Sequence, residues 1–215
     1  DLKIGHHYIG ASHPPFIIAE MSGNHNQSLD RALEIVEVAA KSGAHAIKLQ
    51  TYTADTMTID CDNEDFTITN PDNLWSGRKL YDLYKEAHTP WDWHEKIFKH
   101  AKELDLIPLS TPFDESAVDF LETLDCEIYK ISSLENTDHA LIKKVASTGK
   151  PIILSTGMMS KDDIVESVNV AKSSGCENII LLKCTSSYPA KASDANLATL
   201  TDIIEITNCH VGLSD

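Results

Sequence analysis

Several things are scarce or missing in this 215-residue sequence, and each narrows what the chain can be. Basic residues are few: 18 Lys and Arg stand against 33 Asp and Glu, a formal charge of -15. A surface of that sign repels phosphate backbones and anionic lipid, so neither a nucleic acid nor a membrane is expected as a partner. The five cysteines (Cys61, Cys126, Cys176, Cys184, Cys209) lie far apart without a CxxC pair. No secretory signal and no apolar run long enough for a bilayer are read, so a reduced, soluble, cytoplasmic protein is expected. No GxGxxG follows the first apolar run, and no repeat or low-complexity tract occurs.

What is present is an alternation. Short apolar runs of strand length recur at 16–20 (FIIAE), 46–50 (AIKLQ), 107–111 (IPLST), 128–133 (IYKISS), 152–156 (IILST), 178–186 (NIILLKCTS) and 210–215 (HVGLSD). Between them lie amphipathic stretches: Leu29, Leu33, Val36 and Ala40 share a helical face, as do Trp93, Ile97, Ala101 and Leu104, and Ile164, Val168 and Ala171. Ser42-Gly43, Thr148-Gly149 and Ser174-Gly175 read as helix stops, and Thr89-Pro90, Asp114 and Ser160 with Asp163 as starts. Strands separated by single helices pair in parallel. An open doubly wound sheet and a closed barrel both satisfy this pattern. The C-terminal edge of nearly every run carries Glu, Lys, Gln, Ser, Thr or Asp, which favours an α/β fold of the (β/α)8 TIM-barrel class with its site on that rim. One domain, 1–215, is expected, seven strands long and therefore an incomplete barrel. Residues 51–88 form an excursion longer than an ordinary βα loop, fit for a lid or substrate wall or for a plain surface insertion.

Three lysines sit inside apolar runs: Lys48, Lys130 and Lys183. Alternation puts Lys48 with Gln50 on one strand face and Ile47 with Leu49 on the other. Burying an ammonium group is costly without an anion or carboxylate beside it. The repeated placement points to an anionic ligand at the rim. Pairing with structural carboxylates such as Glu20, and a Schiff-base role for one lysine, stay open. Hydroxyls gather at the same level: Ser110, Thr111, Ser132, Ser133, Ser155, Thr156, Thr185, Ser186, Ser187 and Ser214, with Gly157 next to Thr156. Short donors and open backbone N–H groups suit phosphate oxygens, although any single serine can serve as a helix cap. Glu20 and Glu135 end or follow strands and can exchange protons or bind hydroxyls. His6, His7, His94, His100 and His139 read as surface residues, and His25 as a rim residue that can touch ligand.

The segments FIIAEMSGNHNQSLDRALEIVEVAAKSGAHAIKLQTYTADTMT, STPFDESAVDFLE, YKISSLENTD, PIILSTGM, LLKCTSSYPA and VGLSD, in this order, resemble the N-acetylneuraminate (sialic acid) synthase family, closest to its pseudaminic acid synthase branch. The resemblance implies a (β/α)8 barrel followed by a small antifreeze-like domain, working as a homodimer. It implies condensation of phosphoenolpyruvate with an amino-sugar aldehyde, here an open-chain 2,4-diacetamido-2,4,6-trideoxy hexose of altrose type, to a nine-carbon 2-keto acid and phosphate. By motif position it assigns Lys48, Thr111, Lys130, Ser133, Ser155, Ser186 and Ser214 to phosphoenolpyruvate, Glu20, Gln50 and Tyr188 to the sugar, and Glu135 to the reacting carbons. Lys183 and Ser186 stand where N-acetylneuraminate synthases carry His and Asn, a departure from the sialic acid pattern. The implied divalent metal, manganese or magnesium, would be held by histidines beyond Asp215, so no metal ligand is expected within these residues. The antifreeze-like domain is likewise expected beyond them. On this reading the chain is a piece of a longer protein or is not competent alone. A legionaminic or N-acetylneuraminate synthase, a lysine aldolase and a non-catalytic carbohydrate- or anion-binding barrel remain the alternatives.

Overall fold

The computed structural model describes every residue except Tyr188 and Asp215. Two compact units divide the chain: residues 17–108, and residues 1–16 together with 109–215. The N-terminus is an antiparallel hairpin that periodicity does not reveal, β1 (Leu2–Ile4) and β2 (His7–Ile9), turning through Gly5 at φ 56°.

In the unit 17–108, β3 (Ile18–Glu20) and β4 (Ala46–Thr51) pair in parallel, with Glu20 opposite Lys48. Helix α1 (Leu29–Lys41) joins them. The Ser28 hydroxyl caps its start by accepting from the Arg31 N–H, and Gly43, at φ 84°, takes the left-handed conformation that ends it. Its buried stripe runs through Ala32, Val36 and Ala39, one position away from the expected Leu33 and Ala40, which are half-buried.

The excursion is ordered. It contains α2 (Ala54–Met57), a 3-10 turn at Glu64–Phe66, a bridge between Thr67 and Lys79, and α3 (Leu80–Ala87). Lys79 reaches Asp60 at 2.6 Å and Asp62 at 2.7 Å, and the Tyr81 hydroxyl donates to Asp55 at 2.9 Å.

Two buried histidines hold the ends of this excursion, and both correct the sequence expectations. His94 was expected on the surface of α4 (Trp91–Glu103) but is fully buried with Ile97, Phe98 and Ala101. Its Nδ1 donates to the Pro90 carbonyl at 3.2 Å, so Nε2 accepts from the Thr51 hydroxyl at 2.9 Å, tying entry to exit. His25, read as a rim residue that can touch ligand, is also fully buried. Its Nδ1 accepts from the Gln27 N–H at 3.1 Å and its Nε2 donates to Thr89 at 3.1 Å. Thr89 therefore serves His25 rather than capping α4, whose N-cap is Pro90 without a side-chain bond.

From β5 (Ile107–Pro112), whose residues from Leu109 on belong to the other unit, that unit alternates through α5 (Glu115–Glu122), β6 (Tyr129–Ile131), α6 (His139–Ala146), β7 (Ile152–Ser155), α7 (Lys161–Ser173), β8 (Ile179–Cys184), α8 (Thr199–Thr207) and β9 (His210–Ser214). From β5 onward each strand pairs in parallel with the next. Asp114 caps α5, Asp138 caps α6, and Ser160 with Asp163 forms a capping box on α7. Ile131, Leu154 and Leu181 are completely buried. Strand β6 is shorter than the apolar run IYKISS because the backbone leaves the ladder at Ser132, whose hydroxyl accepts from the Leu134 N–H at 3.3 Å.

Burial pushes the pKa of His94 down to about 4, against its hydrogen bonds to the Pro90 and Trp91 backbone. The unfolded chain then binds a proton that the folded chain refuses, so stability is complete above about pH 6.5 and is lost as pH falls toward 4. The loss at the acid end is expected to be on the order of 3 kcal/mol. Denaturant unfolding between pH 4 and 7.5 should show this slope in the native protein. His94→Gln should be less stable at pH 7.5 yet show a flatter acid limb.

Candidate active site: lysines and hydroxyls at the strand ends

In the second unit three strand ends meet around one glycine. Lys130, in the middle of β6, is 8% exposed, and its Nζ donates to the Ser155 Oγ at 2.8 Å. Ser155 closes β7 and is 1% exposed. Thr111, 1% exposed, lies one step beyond the Ser110–Tyr129 pairing of β5 with β6, which puts it beside Lys130. Just past β7, a Cβ on Gly157 would stand 2.4 Å from the Ser186 Oγ and 2.6 Å from the Ser133 Oγ. Gly157 is therefore demanded by space. The next residue confirms the distinction, for Met158 rather than Gly157 takes the left-handed conformation, at φ 66°. Hydroxyls from the ends of β6, β7 and β8 thus surround a stretch of bare backbone, with Lys130 beneath Ser155.

Glu135 follows β6 and is half-buried. The Ser132 hydroxyl donates to its Oε2, and the Glu135 N–H bonds the Ser132 carbonyl at 3.3 Å. Burial pushes its pKa up to about 7, against the nearby Lys130 charge and with help from Asp138. At neutral pH this carboxyl stands close to half-protonated, as an acid–base group requires. Next to it, Asn136 is 4% exposed and donates from Nδ2 to the carbonyls of Ser155, at 3.2 Å, and Gly157, at 2.9 Å.

Lys183, 8% exposed in β8, donates to the Thr185 Oγ1 at 2.9 Å. It lines an open cavity of about 560 Å³ with Thr185, Ser186, Asn196, Thr199 and Asp202. Ser214, half-buried, ends β9 opposite Cys184 of β8.

The unit 17–108 carries its own polar group. Lys48 is ion-paired across the β3–β4 ladder with Glu20, a structural carboxylate. Glu20 also accepts from the Ser22 N–H at 3.1 Å, and the Ser22 hydroxyl lies 3.5 Å from the Gln50 Oε1. Tyr188 lies outside the described residues.

The sequence pattern therefore named Lys130, Ser133, Ser155, Ser186, Thr111 and Glu135, which the structure places in one unit. It missed Asn136, which has no periodic signature and is recognisable only from the carbonyls it satisfies. Among the described residues no three His, Cys, Asp or Glu side chains gather as a metal site.

Parallel strands joined by helices, with lysines and hydroxyls at the strand ends, define the class: an α/β protein of the (β/α)8 type. The chain belongs to the NeuB family, whose profile matches residues 35–215. It is similar to the pseudaminic acid synthase of Helicobacter pylori, 43% identical over 202 residues, which are 94% of this chain and 59% of that protein. It is also similar to the N,N'-diacetyllegionaminic acid synthase of Campylobacter jejuni, 36% identical over 205 residues, 93% of this chain and 60% of the relative. Among solved structures, the N-acetylneuraminic acid synthetase of Leptospira borgpetersenii matches at a TM-score of 0.86 and 29% identity, covering 100% of this chain and 69% of that one. The chain thus spans about three-fifths of the length of these curated relatives.

Two outcomes test this site. Gly157→Ala should fold only if the Ser133 and Ser186 hydroxyls rotate away and the Ser133 Cβ, 3.0 Å from the added methyl, gives by a few tenths of an ångström. In the folded variant calorimetric affinity for phosphoenolpyruvate should drop at least about tenfold, the loss of one or more charge-assisted hydrogen bonds. Glu135 holds its proton more tightly folded than unfolded, so it costs stability as pH rises from 4.5 to about 7. Glu135→Gln removes that cost. The variant should match the parent at pH 4 and exceed it at pH 8 by about 1–2 kcal/mol after solvent screening, read by denaturant unfolding.

Proposed function

We propose that the complete protein condenses phosphoenolpyruvate with the open-chain aldehyde of a 2,4-diacetamido-2,4,6-trideoxy hexose of altrose type, yielding pseudaminic acid and inorganic phosphate. The observation that carries this reading is the Lys130–Ser155 pair near Gly157, whose missing Cβ lets the hydroxyls of Ser133 and Ser186 close in on the backbone. A buried cation with short hydroxyl donors gathered near it fits a phosphorylated small acid. Supporting it, the relatives' names specify nonulosonic acid synthases, with the pseudaminic acid synthase at higher identity than the legionaminic one.

In the reaction, C3 of phosphoenolpyruvate attacks the aldehyde carbon, and the aldehyde oxygen gains a proton. Positive charge develops at C2, where water adds and loses a proton. The resulting phosphohemiketal breaks its C2–O bond and expels phosphate, leaving the 2-keto acid. Lys130, Thr111, Ser133, Ser155, Ser186 and Ser214 would bind the phosphate and carboxylate of the enol, without a covalent bond to lysine. Glu135, with its pKa near 7, would hold and release the proton that moves at the reacting carbons. Orienting two reactants can supply roughly 7 to 11 kcal/mol of the barrier. The cavity lined by Lys183, Asn196 and Asp202 offers both donors and acceptors, as hydroxyl and acetamido groups need. The resemblance assigns Lys48 to phosphoenolpyruvate and Glu20, Gln50 and Tyr188 to the sugar, and we retain those assignments.

A divalent cation, manganese or magnesium, held by residues outside these 215, would polarise the aldehyde. The working unit is a homodimer in the cytoplasm. No helix among the described residues is long and apolar enough to cross a membrane.

The test is phosphate release from phosphoenolpyruvate by the full-length protein, with manganese, comparing N-acetylmannosamine with the diacetamido-trideoxy-altrose. Release with the latter alone is the expected result. Preference for N-acetylmannosamine would move the acceptor to the sialic acid type, and no release with either would remove the synthase reading. Borohydride trapping with pyruvate on a lysine would point to an aldolase instead.

A further inference from the structure

Two buried polar side chains near the cradle have no part in the reaction just described, Asn136 and Ser167. Ser167 is fully buried on α7, where a hydroxyl is costly unless bonded. It does not bond back along its own helix. Its Oγ donates instead to the Asn136 carbonyl at 2.8 Å. Asn136 in turn spends both Nδ2 hydrogens on main-chain carbonyls, those of Ser155 and Gly157 on either side of Thr156. Because a trans peptide sets its C=O and N–H on opposite sides, fixing the Gly157 carbonyl on Asn136 turns the Met158 N–H away from it. The Thr156 N–H is already committed to the Leu182 carbonyl at 2.9 Å, so the segment is held from two sides. Asn136 also adjoins Glu135 in the chain, so the same amide that anchors the cradle anchors the carboxyl's backbone.

From this arrangement we infer that Asn136 is a positioning residue: braced by Ser167, its side-chain amide holds the Ser155–Gly157 backbone, with the Met158 N–H turned away from it, in place for an oxyanion and fixes its spacing to Glu135. The inference rests on the phosphoenolpyruvate reading above. A purely structural amide would lower stability and the fraction of active protein, which reduces kcat. A positioning amide would instead weaken the ligand that the cradle holds, which raises KM.

The experiment uses the full-length protein with Asn136→Ala and Ser167→Ala, measuring KM for phosphoenolpyruvate, kcat and the melting temperature of each. Asn136→Ala should raise KM at least tenfold with kcat changed less than threefold, and Ser167→Ala should raise KM about threefold. If Asn136→Ala does not fold, the milder Ser167→Ala decides. An unchanged KM in whichever variant folds, or a fall in kcat and melting temperature alone, overturns the inference while leaving the synthase reading intact. A parent protein that neither binds phosphoenolpyruvate nor releases its phosphate overturns that reading and the inference with it.

Discussion

An ammonium group in the middle of a parallel strand is the constraint on which the site depends. Lys130 stands in β6 with completely buried Tyr129 and Ile131 on either side. Desolvating such a charge costs several kcal/mol unless partners replace its water. Its Nζ donates to the hydroxyl of Ser155, and its charge also bears on Glu135. Under the proposed function, an anionic group at the same place would add a charge–charge attraction to these partners.

Near that charge the local backbone is arranged so that hydroxyls approach it closely. The glycine at 157 is needed for its missing Cβ, whereas the left-handed conformation falls on Met158, a residue poorly suited to it. Strain of about 1–2 kcal/mol at a non-glycine left-handed residue persists only where the surroundings fix it. Here the Met159 N–H bonds the Thr156 carbonyl at 3.3 Å, and Asn136 holds the carbonyls of Ser155 and Gly157. The turn is therefore over-determined, as a preorganised oxyanion site requires.

The sequence made the strand and helix alternation legible because each buried run is continuous and each helix has a cap or stop that follows from backbone chemistry, as at Asp114, Ser160 and Gly43. Lys130, Ser155 and Glu135 were legible because charge and hydroxyls at the end of an apolar run contradict burial. The two histidines were not. His94 lies on the buried face of α4, but polarity argues for solvent, and only the bonds to Thr51 and Pro90 reverse that preference. Asn136 escaped for a related reason. A side chain that satisfies backbone carbonyls distant in sequence leaves no trace in spacing, since its partners are peptide groups common to every residue.

Glu135 and Lys130 together explain why one carboxyl among many acidic residues can act near neutrality. The protein carries 33 acidic residues, and an exposed carboxylate in such company would be ionised throughout the neutral range. Glu135 differs because it is half-buried: desolvation favours its neutral form, while Lys130 favours the charged one. A bound dianion would partly neutralise Lys130 and add its own repulsion, and both effects disfavour ionised Glu135. The carboxyl would then hold its proton while the phosphate is present and release it more readily once phosphate leaves. Coupling between an occupied anion site and an adjacent acid–base group thus follows from placing the two within reach of one buried ammonium.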